Sequence, residues 1–163
     1  LVGFMASGKT SKGNKLARKL GVDFIDLDAQ IEQKEKRSIS RIFKENGEVY
    51  FRKIEAEAVR AIPERTKAVI ALGGGTPCFH SNMEVINTKG TSVYLKRSAA
   101  RILGRLRQNK DKRPIVAHLE DAELKIFITE SLEKRQPHYE MSAIHFDADS
   151  EKLDDLLNRL LQE

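Results

Sequence analysis

Gly3-Phe4-Met5-Ala6-Ser7-Gly8-Lys9-Thr10 fills every fixed position of the pattern G-x-x-x-x-G-K-[ST]. Leu1 and Val2 stand before it, and a helical pattern with Leu16, Ala17 and Leu20 on one face follows, stopped by Gly21. A loop that wraps a chain of phosphates must turn successive backbone N–H groups inward, and glycine permits the angles this requires. The helix behind the loop adds the positive end of its dipole. In such a loop Lys9 reaches the β- and γ-phosphates as a point charge, and the Thr10 hydroxyl offers Mg²⁺ a hard oxygen. A chance match in a Gly/Ser-rich turn is the bland alternative, and the position between a strand end and a helix argues against it. Ala6, Ser7, Gly8, Lys9, Thr10 and Ser11 are therefore expected to contact a nucleoside triphosphate. A strand of about five residues normally precedes such a loop, so several residues of a first strand are expected ahead of Leu1.

Working outward, residues 22–26 read as a short strand ending in Asp26-Leu27-Asp28, and 29–61 as helix broken near Arg37-Ser38 and Asn46-Gly47. Residues 68–72 form a continuous apolar run that suits a strand buried on both faces, and Gly73-Gly74-Gly75 follows at once. Residues 80–87, 98–108 and 119–135 read as helices, 92–95 and 143–146 as strands, and 109–116 as a polar, basic loop. Leu153, Leu156, Leu157, Leu160 and Leu161 make the apolar stripe of a closing helix. Strands that alternate with helices predict an α/β fold with a mostly parallel sheet covered on both faces.

The chain has 163 residues, enough for one domain, of which 40% are apolar and 33% charged. No apolar run approaches the roughly 20 residues of a membrane-spanning helix. A single cysteine, Cys78, excludes an internal disulfide and a cysteine-rich metal site. No secretory leader pattern opens the chain, and a reducing, cytoplasmic setting is the expectation. The net charge is +5, and residues 101–113 hold all of it, with six bases against Asp111. The other 150 residues carry 23 bases and 23 acids. A nucleic-acid binder spreads its bases over a long face; one short basic stretch points to a compact polyanion.

Several side chains stand out beside the loop. Asp26 and Asp28 lie at the C-terminal end of a strand, the edge where open α/β sheets bind ligands. One carboxylate there can hold a water of a Mg²⁺ shell, and the other can accept a proton from a substrate hydroxyl. Helix capping is the plain alternative for Asp28. Arg52 and Glu55 share a helix face, beside Phe51 as an apolar wall; a surface salt bridge is the commoner meaning of that spacing. Three glycines after a buried strand exceed what a turn needs and let a ligand approach the backbone. Arg113-Pro114 ends the basic stretch as a candidate lid over a triphosphate, although most charge runs are solvated faces. His80, His118, His138 and His145 have no metal-ligand spacing, and Cys78, with no adjacent base, suits packing rather than reactivity.

In order along the chain these features are the phosphate loop, Asp26-Leu27-Asp28, Gly47-Glu48 with Phe51-Arg52 and Glu55, Gly73-Gly74-Gly75, Arg113-Pro114, and Arg135 with Pro137 and Tyr139. The set resembles the shikimate kinases, small P-loop kinases of the nucleoside-monophosphate-kinase type, from Gly3 to about Phe146. The resemblance implies a three-layer α/β/α sandwich as one domain over 1–163, with a substrate-binding subdomain at 29–56 and a mobile lid at 107–116. It implies transfer of the ATP γ-phosphoryl group to the 3-hydroxyl of shikimate, a step of aromatic amino-acid biosynthesis. Asp28 would hold the shikimate hydroxyls and orient or deprotonate the attacking one. Arg52 and Arg135 would clamp the carboxylate, and Gly74 would contact substrate through its backbone. Lys9 and Arg113 would bind phosphates, Thr10 would ligate Mg²⁺, and Asp26 would hold the ion through water. Arg107 would stack near adenine, with a second adenine loop near Asp149 to Lys152. The expected partners are shikimate and ATP, with Mg²⁺ as cofactor, no nucleic acid and no membrane, and a monomeric state.

One departure is Ala6, where this family usually has glycine. A methyl group is small and the position is variable in the general motif, so ATP binding is expected to persist. The alternative function is another small-molecule P-loop kinase, gluconate-type or acting on nucleoside monophosphates, which would not require Arg52 and Arg135. A nucleotide-binding regulator without catalysis would have no need of Asp28 and Arg113.

Overall fold

The computed structural model describes residues 1–64, 66–108 and 114–162. In order, the elements are α1 (Lys9–Leu20), β1 (Asp23–Asp26), α2 (Leu27–Glu35), α3 (Ile39–Ala61), β2 (Ala68–Ala71), a 3₁₀ turn (Thr76–Cys78), α4 (Asn82–Lys89), β3 (Val93–Lys96), α5 (Ala99–Gln108), α6 (Pro114–Ala117), α7 (Asp121–Tyr139), β4 (Ile144–Asp147) and α8 (Leu153–Leu161).

The strands pair in parallel, β1 with β2 and β3 with β4. Leu1 and Val2 join the two pairs. The Leu72 N–H donates to the Leu1 carbonyl at 3.1 Å, and Val2 exchanges bonds of 2.9 Å with the Val93 carbonyl and the Leu95 N–H. The spatial order is therefore β1, β2, the Leu1–Val2 segment, β3, β4, and the phosphate loop leaves from the middle.

Alternation along the strands divides the core into two layers. On one face Leu16 and Ala17 of α1 and Leu156 of α8 pack against Val69, Val93, Leu95, Ile144 and Phe146. On the other, Val2 and Tyr94 meet Leu27 and Ile31 of α2, Ile42 and Val59 of α3, Met83 of α4, Ile102 of α5 and Leu124 and Ile128 of α7. The result is the expected three-layer α/β/α sandwich. Among the described residues no helix is long and apolar enough to cross a membrane.

The breaks fall where the chain directs them. Lys36 takes a left-handed conformation between α2 and α3, and the Ser38 hydroxyl caps α3 by accepting from the Arg41 N–H at 3.2 Å. Gly47, with φ 80°, kinks α3 where Asn46-Gly47 predicted a break. Two expectations are corrected. The helix read over 119–135 runs on to Tyr139 through Pro137. That proline leaves the Glu133 carbonyl without its helical donor, and both residues are exposed, where solvent is able to take the donor's place. In the stretch read as a basic loop, residues 114–117 form the short helix α6, while 109–113, including Arg113, lie outside the described residues.

Candidate functional site

A cleft of about 480 Å³ opens at the C-terminal ends of β1 and β2, where the phosphate loop and the glycine run face each other. Its lining includes Ala6, Gly8, Lys9, Thr10 and Ser11 on one side, and Asp26, Asp28, Gly73 and Gly74 on the other. Ser7 does not join them, because its side chain is buried and its carbonyl is turned away.

The loop is held open by its carbonyls. Gly8 has φ 102°, as a phosphate loop requires, and Ala6 sits at φ 60°, a conformation that L residues seldom adopt. Two arginines brace it there. Arg105 donates to the Ala6 carbonyl and Arg97 to the Ser7 carbonyl, both at 3.0 Å. Arg97 is itself fixed by Asp149 at 3.0 Å and by the Ala148 carbonyl at 3.1 Å. Asp149 also accepts from the Ser98 N–H at 2.9 Å, so the 149–152 segment reaches the site through Arg97. The Lys9 ammonium donates to the Gly3 and Phe4 carbonyls at 2.7 and 2.9 Å, which holds its charge at the mouth of the loop.

Asp26 and Asp28 share the cleft because the strand stops between them: β1 ends at Asp26 and α2 begins at Leu27. The capping carboxylate is that of Asp26, which accepts from the Ala29 N–H at 3.4 Å and from the Thr10 hydroxyl at 3.2 Å. Asp28 is thereby left out of the cap. Its Oδ1 is buried without a hydrogen-bond partner. Burial, then the neighbouring charges of Glu55 and Asp26, push its carboxyl up to about 6, against the pull of Lys9. A carboxylate with one buried, unpartnered oxygen and a raised pKa is suited to take a proton from a hydroxyl.

Arg52 and Arg135 do not line this cleft; they stand beyond the glycine run, among aromatic rings. Arg52, on α3, pairs with Glu55 at 2.8 Å and with Glu48 at 3.1 Å. Glu55 is 1% exposed and also accepts from the Thr76 hydroxyl at 2.6 Å. This is a largely buried pair rather than the surface salt bridge that its spacing more commonly means. Arg135, on α7, lies over the Phe4 ring at 5.4 Å. Both guanidinium groups approach the glycine run. A Cβ on Gly75 would fall 2.7 Å from Arg52 Nη2, and one on Gly74 would fall 3.5 Å from Arg135 Nη1 and 3.3 Å from the Met5 nitrogen. A Cβ on Gly73 would meet Asp28 Oδ1 at 2.8 Å. The three glycines thus let two arginines, a carboxylate and the phosphate loop converge.

The sequence showed Tyr139 only as part of the resemblance, and missed the other supports. Tyr139 donates to the Gly74 carbonyl at 2.5 Å, and burial pushes its phenol up so that the proton stays. Thr76, Phe79, Arg97 and Arg105 belong to no pattern that spacing alone exposes. Arg105, not Arg107, lines the cleft; Arg107 pairs with Asp121 at 2.9 Å with both side chains at least half exposed. The Cys78 thiol is pushed up by burial despite nearby Arg135 and Arg52, as expected of a packing cysteine. Among the described residues no group of His, Cys, Asp and Glu forms a metal cluster.

Known proteins share this fold. The family described as shikimate kinase matches residues 5–163. The shikimate kinase of Parabacteroides distasonis is 46% identical over 149 residues, 91% of this chain and 86% of that protein. The crystal structure of shikimate kinase from Bacteroides thetaiotaomicron superposes with a TM-score of 0.90 at 39% identity, covering 99% of this chain and 94% of that one. That of the Acinetobacter baumannii enzyme in complex with shikimate gives 0.84 at 34% identity, covering 99% and 88%. The chain belongs to the shikimate kinase family.

Proposed function

We propose that this chain transfers the γ-phosphoryl group of ATP to the 3-hydroxyl of shikimate, giving shikimate 3-phosphate and ADP. The observation that carries this is the placement of Asp28, whose buried Oδ1 has no hydrogen-bond partner, beside the phosphate loop and the glycine run that two arginines approach. An acceptor with several hydroxyls and one carboxylate satisfies both Asp28 and the arginines. A neutral sugar would leave the arginine end with no anion to bind, whereas gluconate and nucleoside monophosphates, which carry one, are separated from shikimate by the test below.

The roles follow from position. Arg52 and Arg135 take the shikimate carboxylate, and the Gly74 backbone contacts the ring. Asp28 orients the attacking hydroxyl and accepts its proton as the new P–O bond forms. The bond from the γ-phosphorus to the β–γ bridging oxygen breaks, and ADP leaves. Lys9 and the inward N–H groups of the loop stabilise charge on the transferring group. Arg113 adds to them from the lid at 107–116, and 29–56 forms the substrate-binding subdomain.

Thr10 and Asp26 present hard oxygens 3.2 Å apart beside the phosphate loop, a donor set that fits Mg²⁺. Thr10 would ligate the ion and Asp26 would hold it through water. Bound there, the ion screens phosphate charge. The same reading has the chain acting as a cytoplasmic monomer on shikimate and ATP, without nucleic acid.

The test is a coupled ADP-release assay with shikimate, gluconate, quinate and nucleoside monophosphates. Turnover should be confined to shikimate or strongly favour it. Turnover with another acceptor and none with shikimate would overturn the assignment.

A further inference from the structure

We propose that Phe79, carried on the 3₁₀ turn Thr76–Cys78, is a positioning residue that sets this chain's affinity for the acceptor carboxylate by fixing the plane of Arg52; this rests on the carboxylate role given to Arg52 above.

The Arg52 guanidinium carbon lies 4.2 Å from the centre of the Phe79 ring, closer than to Phe51 at 5.2 Å or Phe43 at 6.0 Å. Phe79 is 36% exposed, whereas Phe51 is buried in the core. Core packing therefore holds Phe79 less completely than Phe51, and the guanidinium face is a contact of its ring. That face is weakly hydrated and stacks on an aromatic ring at little desolvation cost. The edges are held separately. Nη1 donates to Glu55 at 2.8 Å, and Nε and Nη2 lie 3.2 and 3.1 Å from a single oxygen of Glu48. Glu48 is more than half exposed, so its pair contributes little by itself. The ring and buried Glu55 remain as the constraints that matter.

One short segment supplies both. Thr76, the first residue of the turn, fixes Glu55 through its hydroxyl, and Phe79 follows the last residue. The segment is anchored from behind. Asn82 donates its amide to the Thr76 carbonyl and its N–H to the Phe79 carbonyl, both at 2.9 Å. Arg60 donates to Asn82 Oδ1 at 3.0 Å and to the His80 carbonyl at 2.8 Å. His80 and Ser81 take left-handed conformations, φ 51° and 52°, that turn the chain back after Phe79. A guanidinium whose plane is set beforehand loses less freedom on binding a planar carboxylate, and the gain falls on affinity rather than on the chemical step.

The experiment compares Phe79→Leu, Phe79→Trp and Arg52→Lys by steady-state kinetics with shikimate and ATP varied in turn. Phe79→Leu should raise the shikimate KM about three- to tenfold, with kcat and the ATP KM within about twofold of the parent. Phe79→Trp, which keeps an aromatic face, should restore the parent KM. If Arg52→Lys raises the shikimate KM and Phe79→Leu does not, the proposal fails while the carboxylate clamp stands. A loss of kcat at constant KM in both Phe79 variants would mean packing alone, and would also overturn it. If Arg52→Lys leaves the shikimate KM unchanged, the clamp itself fails and this inference with it.

Discussion

The two ends of the site are built in different ways. The phosphate end is almost one piece of chain: Gly3 to Ser11 supplies the loop, the lysine and the hydroxyl. The acid end is gathered from α2, α3, the glycine run and α7, whose contributing residues, Asp28, Arg52, Gly74 and Arg135, span more than a hundred positions. A phosphate chain is bound mainly by backbone N–H groups, which a contiguous loop can aim. A small polyhydroxy acid must be met from several directions by side chains, and only a packed fold brings those together. Lys9 and Thr10 apart, the phosphate end should therefore tolerate changes in side chains, and the acid end should not.

The largest effect expected at the acid end is that of Asp28→Asn. Its kcat should fall about a thousandfold, within the range of a lost general base, while ATP still binds. Near-parental activity would show that Asp28 is not the proton acceptor. Arg135→Ala should cost about a hundredfold in kcat/KM for shikimate, as expected for a lost charge-assisted pair, with the ATP KM little changed. Equal losses for both substrates would erase the distinction between the ends. At the phosphate end Arg97→Met should raise the ATP KM only about fivefold, because it removes one brace on one carbonyl. A larger loss there than at Arg135 would reverse the comparison.

Asp28 also links function to stability. Its carboxyl lies higher in the folded chain, near 6, than in an unfolded chain near 4. The folded state thus prefers the protonated form. Its contribution is fully present below about pH 4 and is lost as pH rises through about 6. Catalysis needs the opposite form, so kcat/KM for shikimate should fall tenfold per unit below about pH 6. Asp28→Asn should accordingly be more stable than the parent at pH 8, by about 2 kcal/mol or about 5 °C in Tm, with the gain vanishing at pH 4. A variant less stable at pH 8 would show that the carboxylate is not strained by its burial.

The contrast between the ends also explains what could be read from the chain. The phosphate loop is legible because its chemistry is local. The layering followed from apolar runs such as 68–72 and the closing leucine stripe. Arg52 with Glu55 and the glycine run were visible as residues, but only the resemblance implied that they converge, since a surface pair and a buried one have the same spacing. Phe79 and Thr76 carried no signal, because a single aromatic or hydroxyl residue after a turn has no pattern. Arg105 was hidden in a basic run, where charge alone does not say which arginine turns inward. Helix α7 was read too short because Pro137 looks like a stop, and only its exposure shows why it is not.

The most direct measurement is the structure of the product. The chain, shikimate, ATP and Mg²⁺ are incubated together, and the ³¹P and ¹H spectra are followed. A single phosphate monoester whose phosphorus couples to the proton on C3 of shikimate, formed in step with ADP, is the predicted result. ATP loss with inorganic phosphate alone, or an ester at another hydroxyl, would contradict the placement of the acceptor between Asp28 and the two arginines.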